Sequence, residues 1–179
     1  MKIQHLTEED YKVGLWSGGS TTELFIWPQG ADYGKREFRF RVSSARVDLE
    51  ESDFTPLMGV TRYITPLSGG FTLTHPGCEP VAMGPMATPY RFSGEIQTHC
   101  VGKATDFNLM LKGVEGEMTL CEGTWQLRPG FNCLYAVADT QVALEHGYAL
   151  KAGELLVVFA DEAVTAEVSA RALACFAEV

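Results

Sequence analysis

The apolar residues of this chain fall in short runs, broken by glycine, proline and polar clusters roughly every 8–12 residues, a spacing that points to an all-β sandwich or barrel. The runs read as strands at 23–27, 38–45, 61–67, 70–75, 96–101, 107–111, 117–120, 124–127, 131–137, 141–145 and 155–160. Within 38–43 the alternation is clean: Phe38, Phe40 and Val42 share one face, and Arg39, Arg41 and Ser43 the other. One face packs; the other meets water or a wet pocket. Thr7-Glu8-Glu9-Asp10 has the pattern of a single capped helical turn. The alanine-rich stretch 163–177 fits a strand or a helix through Val164, Val168, Leu173 and Phe176. Segments 67–73 and 148–158 read as turns between paired barrel strands. No linker rich in Pro, Gly or Ser interrupts the chain, so its halves, 1–112 and 113–179, are expected to share strands or an interface and fold as one unit.

At 179 residues and 46% hydrophobic content, the chain can bury a full core without disulfides or a structural metal. Its 14 Lys and Arg against 23 Asp and Glu give a net charge of −9, which argues against nucleic acid or an anionic membrane as a general partner. An acidic ligand must therefore be met by a local cluster of arginines or amides. Five cysteines (Cys78, Cys100, Cys121, Cys133, Cys175) lack any CxxC pair and read as reduced, mostly buried thiols. With no apolar leader at the N-terminus and no long apolar run, the expected location is the cytoplasm.

Trp16-Ser17-Gly18-Gly19-Ser20-Thr21-Thr22-Glu23 describes a shaped backbone, in which two adjacent glycines let successive amides converge on an anion. The simpler reading of the same residues is a tight turn before a strand, with Trp16 filling core. The four histidines (His5, His75, His99, His146) are scattered and form no His-x-His, so the expected site uses no metal and no cofactor. There is no Gly-x-Ser-x-Gly elbow and no phosphate loop, since Gly113-Val114-Glu115-Gly116 lacks the lysine and hydroxyl. What remains is a set of arginines, amides and carboxylates. Arg41 lies on a polar face beside Ser43, Arg62 follows Met58-Gly59-Val60-Thr61, and Asp106 and Asn108 project to one side of a strand. Such a set either ties sheets together as a buried ion pair or grips a carboxylate through an arginine fork. Phe92-Ser93-Gly94-Glu95 reads as a hairpin turn with Glu95 solvated, the alternative being that Glu95 points at a pocket mouth; whether His99 or Cys100 lines that pocket is left open by the sequence.

Taken in order, Trp16 to Glu23, Phe40-Arg41-Val42-Ser43-Ser44-Ala45-Arg46-Val47, Phe54 to Arg62, Leu67-Ser68-Gly69-Gly70, Phe92-Ser93-Gly94-Glu95 and Asp106-Phe107-Asn108-Leu109-Met110 resemble the HutD/Ves family. The likeness covers residues 11–112, and beyond them only a cupin-like β pattern continues. Ser17 and Thr22 stand where the family usually carries an amide or basic residue and an arginine. The resemblance implies a bicupin, two facing β-barrels in one chain without a cupin metal. It also implies an accessory or regulatory role in bacterial histidine utilisation, or a role in stress response.

The resulting expectation is a metal-free bicupin that binds a small carboxylate, with urocanate and formylglutamate as pathway-derived candidates. In it Trp16 is an apolar wall, Gly18 and Gly19 are backbone donors, Arg41 and Arg62 supply charge, and Asp106 and Asn108 orient the ligand. Two rivals stand beside it. One is a cofactor-independent isomerase, lyase or hydrolase with Asp106, Glu95 or a histidine as general base; the other is a protein-interaction module working through its acidic surface. Exposed edge strands make a homodimer the oligomeric expectation.

Overall fold

A computed structural model describes all of residues 1–179, and every regular element but one is a strand. In chain order the strands are β1 (Lys2–Leu6), β2 (Lys12–Trp16), β3 (Gly19–Trp27), β4 (Phe40–Val47), β5 (Glu51–Phe54) and β6 (Val60–Gly69). There follow β7 (Phe71–Thr74), β8 (Val81–Met83), β9 (Tyr90–Ser93), β10 (Thr98–Val101), β11 (Ala104–Lys112) and β12 (Gly116–Leu127). The last are β13 (Gly130–Ala136), β14 (Thr140–Ala143), β15 (Gly147–Leu150), β16 (Leu155–Ala160) and β17 (Val164–Ala177). The exception is one 3₁₀ turn, Glu8–Asp10, where the Asp10 carboxylate accepts the Thr7 amide at 2.9 Å as the Thr-x-x-Asp spacing suggests.

The chain forms two compact units. The first, Lys12–Gly113, holds a six-stranded sheet in the order β2-β3-β4-β11-β6-β9 and a four-stranded sheet in the order β5-β10-β7-β8. Its apolar clusters gather around Ile64, Phe71, Leu73 and Phe92, and around Phe38, Leu57, Val60 and Met110. The second unit joins Met1–Tyr11 to Val114–Val179 in a sheet ordered β1-β16-β13-β17-β14-β15, with β12 also on β17. Here β1 pairs with β16 over its whole length, and the Tyr11 hydroxyl donates to the Leu6 and Gly153 carbonyls, both at 3.0 Å. That unit is filled by Trp125, Leu127, Leu134, Val142, Leu150, Leu156 and Val168. All strand pairs named in either unit are antiparallel.

Three expectations need correction. Segments 117–120 and 124–127 are one strand, β12, whose register against β17 shifts between Cys121 and Gly123, and Gly123 takes the positive φ (+78°) that such a bulge asks for. Segments 67–73 and 148–158 do not turn between paired strands. The first carries the chain from the six-stranded to the four-stranded sheet, and the second links β15 to β16, which are not neighbours. The stretch 92–95 is a turn only at Gly94 and Glu95, with Glu95 exposed: Phe92, which is buried, and Ser93 end strand β9, and β9 pairs with β6 while β10 pairs with β5 and β7, so the turn closes no hairpin. The open stretch 163–177 resolves to a strand, because β12, β13 and β14 all hydrogen-bond to it.

Candidate functional site

The site follows from the period of two along four adjacent strands. In the six-stranded sheet, Asp106 stands opposite Ala45, Asn108 opposite Ser43 and Met110 opposite Arg41, while Glu23 of β3 stands opposite Ser43 and Met110 opposite Arg62 of β6. These side chains share a face. Phe40, Val42, Phe107, Leu109 and Leu111 alternate with them and are buried on the other. The polar face lines a cavity of about 760 Å³, closed at its sides by Trp16 on β2, Tyr33 in the loop before β4, and Phe54 on β5. A register shift between Thr105 and Asp106, with one extra residue on β6, lies where the site begins.

Two charged clusters stand inside. Glu23 accepts the Arg41 Nε–H at 2.7 Å, and Arg41 Nη1 donates to Ser43 Oγ at 3.0 Å while its guanidinium lies 4.0 Å from the Tyr33 ring centre. Arg62 Nη2 donates to Asn108 Oδ1 at 2.7 Å, and Asn108 Nδ2 donates in turn to Asp106 Oδ1. Asn108 is thus a spacer that separates the second arginine from its carboxylate, whereas Glu23 touches Arg41 directly. The Arg62 guanidinium also lies 4.7 Å from the Phe54 ring centre, and its buried Nε has no hydrogen-bond partner. An unpartnered buried donor is costly, so this group is poised to gain from an acceptor brought into the cavity.

Burial dominates the electrostatics. It pushes the Asp106 carboxyl up to about 7, against the opposing pull of Arg62, the Asn108 amide and the Ala45 N–H. Burial likewise lowers Arg62 from the usual guanidinium value, with Asp106 opposing that change. The inner wall of the cavity therefore holds two arginines and two carboxylates at close quarters, Asp106 being the more easily neutralised, while Lys12, Asp32 and Asp53 line it from exposed positions.

Of the residues singled out in the sequence, Trp16, Arg41, Arg62, Asp106 and Asn108 line this one cavity. Gly18 and Gly19 do not. A Cβ on Gly18 would come within 2.1 Å of the Trp16 ring, and one on Gly19, whose φ is +152°, within 1.8 Å of the Arg46 carbonyl oxygen. Their lack of side chains shapes the β2–β3 hairpin and lets the Trp16 ring lie over the turn. Glu95 is exposed and accepts the Gly59 amide at 2.8 Å, and neither it, His99 nor Cys100 lines the cavity. Glu23, Tyr33, Phe54 and Met110 join the wall without having been singled out. Glu23 was legible as the in-phase acid one strand away from Arg41, whereas Tyr33 sits in a loop with no periodicity to reveal it.

No three of the His, Cys, Asp and Glu side chains stand together in a way that could hold a metal ion. His5 pairs with Glu154 at 2.7 Å and His99 with Asp53 at 2.9 Å. His75 is buried, its Nδ1 3.1 Å from the Thr98 hydroxyl and its ring packed on Tyr90 and Phe92. All five cysteines are free, and no helix is long and apolar enough to cross a membrane.

Comparison with known proteins agrees with this architecture. No curated protein matches the chain. Among solved structures, HutD from Pseudomonas fluorescens SBW25, in a formate condition, superposes with a TM-score of 0.84 at 26% identity, covering 98% of each chain. The conserved protein of unknown function PA5104 from Pseudomonas aeruginosa PAO1 gives 0.85 at 26% identity, covering 99% of this chain and 98% of that one. The Escherichia coli pirin YhhW, in complex with nickel(II), gives 0.67 at 9% identity over 98% of each chain, a likeness of cupin-type fold alone. The HutD family model matches residues 8–176, nearly the whole chain. An all-β, cupin-like chain with this extent of match belongs to the HutD family.

Proposed function

We propose that this HutD-family chain is a metal-free bicupin that binds a small carboxylate metabolite in the cavity of the Lys12–Gly113 unit, as a regulatory or accessory component of histidine utilisation. The observation that carries the reading is Arg62, buried and lacking a partner for its Nε in a cavity of about 760 Å³ walled by Trp16, Tyr33 and Phe54. Volume and lining suit a small ligand with one anionic end and an apolar body. Urocanate and formylglutamate are the candidates that histidine utilisation supplies. Formate, named in the condition of the P. fluorescens structure, is the smallest carboxylate and belongs in the same panel.

The test is a thermal-shift series with these acids on the native chain and on Arg62→Ala, with divalent metal added in separate wells. A ligand that binds only the folded state, at about 100 times its dissociation constant, adds about 2.7 kcal/mol of stability. The expected result is a rise in melting temperature with one acid, lost in Arg62→Ala and indifferent to metal. No rise with any acid would remove the reading.

One observation favours a second reading. A cavity carboxyl held at about 7 has the protonation range of a general base, so Asp106 supports a cofactor-independent enzyme acting on a small acid. Turnover of such an acid, abolished in Asp106→Asn, would establish it. A homodimer is proposed through the edge strand β2, where Val13 and Leu15 are exposed. The free cysteines support a reducing, cytoplasmic setting.

A further inference from the structure

We infer that the cavity takes up its anion together with one proton, which lands on Asp106, and that this restricts it to ligands carrying a single negative charge. The inference rests on the carboxylate-binding reading above and adds to it the charge state of the ligand and what accompanies it.

The geometry distinguishes the two carboxylates. Glu23 is bound directly to Arg41 at 2.7 Å, so each is answered by an opposite charge within the protein. Asp106 reaches its arginine only through the Asn108 amide, and it is buried on the cavity wall. With the cavity empty, the charges of Arg41 and Arg62 on its inner wall balance those of Glu23 and Asp106, and the other charged lining residues, Lys12, Asp32 and Asp53, are exposed to water. An anion docking on Arg62 takes over the positive charge that offsets Asp106 and leaves one negative charge in excess in a desolvated space. The least costly relief is transfer of a proton from water to an Asp106 carboxylate oxygen, which returns the site to neutrality. Asn108 is compatible with both states, because a protonated carboxyl still presents an oxygen to accept its Nδ2–H.

Groups bearing on Asp106 come from every neighbouring strand. They are Asn108 on its own strand, the Ala45 amide of β4, Arg62 of β6, and the Cys100 thiol of β10, which burial and then Asp106 push up to about 11. Arg41 of β4 bears on Arg62 and is itself tied to Glu23 of β3. None of these is a better proton acceptor near neutrality. A guanidinium offers no lone pair to accept a proton, the Cys100 thiol is pushed up and holds its own, and Glu23 already accepts the Arg41 Nε–H. Asp106, already pushed up to about 7 in the empty cavity, is driven higher by a second negative charge beside it.

A second carboxylate placed among these inner-wall groups would need a second proton, and they hold no second acceptor. The cavity therefore discriminates monoanions from dianions by charge balance, independently of size, which selects urocanate over formylglutamate, whose two carboxylates make it a dianion.

The experiment is isothermal titration calorimetry of the full chain in two buffers of different ionisation heat, which reads protons taken up per ligand bound. Benzoate is the probe: it keeps one charge over the range and its ring suits Tyr33 and Phe54. Isophthalate adds a second carboxylate to the same ring, and benzamide removes the charge. The expected uptake is near one proton per benzoate at about pH 8.5, falling towards none at about pH 5.5, with affinity dropping about tenfold per pH unit above about 7. Isophthalate should bind at least about tenfold more weakly than benzoate at pH 7. Asp106→Asn should bind benzoate with no uptake at any pH and at least as tightly as the native chain does at pH 8.5. Glu23→Gln, which leaves the empty site with one positive charge, should lower the uptake and relax the exclusion of isophthalate. Benzoate bound at pH 8.5 with no proton uptake, or uptake that persists in Asp106→Asn, overturns the coupling while leaving carboxylate binding in place. If benzoate fails to bind at every pH, or benzamide binds as well as benzoate, the carboxylate reading falls and the coupling with it.

Discussion

The two units of this chain solve the same packing problem in opposite ways. In the unit of Met1–Tyr11 and Val114–Val179, the buried polar side chains are Asn132 and Thr140, and each is answered locally: Asn132 bonds the Arg128 amide and carbonyl, and Thr140 donates to the Ala138 carbonyl. The rest of that interior is aliphatic, aromatic or thiol. In the Lys12–Gly113 unit, Arg41, Ser43, Arg62, Asp106 and Asn108 are all buried on one face of one sheet, around a cavity. Burying two arginines is a poor route to stability, since an apolar replacement of similar volume generally does as well or better. The difference teaches that one interior is filled by apolar packing, while the other carries a desolvation cost that the proposed ligand-binding role would account for.

The largest expected effect sharpens this contrast from the dry side. Trp125→Ala, which empties a buried site in the second unit, should cost about 3–5 kcal/mol of unfolding free energy in a urea titration. If the first unit alone carries the site, the residual folded fraction should still bind its acid with unchanged affinity.

A smaller effect comes from the wet side. The folded-state Asp106 carboxyl is raised to about 7 from an ordinary carboxylate value, so its contribution to stability is fully present below about pH 4 and is lost as pH rises to about 7. Comparing thermal or urea unfolding of the native chain with Asp106→Asn isolates this group from the other carboxylates. The native chain should lose about 1 kcal/mol relative to the variant between pH 6 and pH 7. Parallel profiles would mean that Asp106 is ionised throughout and that the wet interior is a simple ion-pair network.

The smallest effect lies at the exposed rim of the cavity, where Leu15 is part of the lining. Leu15 on the edge strand β2 is 86% exposed, so Leu15→Lys should change the unfolding free energy by no more than about 0.5 kcal/mol. Loss of a dimer by light scattering in the same variant would place the contact between copies at β2, and a monomeric native chain would dismiss it.

The strands legible in the sequence were those with strong apolar alternation. Phe38, Phe40 and Val42 are buried together, with Arg41 and Ser43 on the opposite, cavity-lining face, as the period of two requires. Strands β1, β2 and β5 are not legible in the sequence, because their residues are mostly polar or exposed and only hydrogen bonds to partner strands make them strands. The destination of β1 was equally hidden: it pairs with β16 more than 140 positions away, and no local pattern encodes such a partner. At the site, Arg41, Asp106 and Asn108 were visible because strand phase alone puts them on a polar face. The gathering of Arg62 onto that face depends on the β11–β6 register, and Tyr33 reaches it from an irregular loop. The glycine pair was visible as a constraint, but what it constrains is the hairpin under Trp16. Local sequence reports that backbone must come close, and only the fold reports to what.

The most direct measurement is a crystal structure of the chain grown with urocanate. The expected result is ligand density in the Lys12–Gly113 cavity, with the carboxylate within hydrogen-bond distance of the Arg62 guanidinium and the ring against Tyr33 or Phe54. Density in the other unit, or an acid seated in this cavity with its carboxylate turned away from Arg62, would contradict the assignment of the wet interior as the carboxylate site.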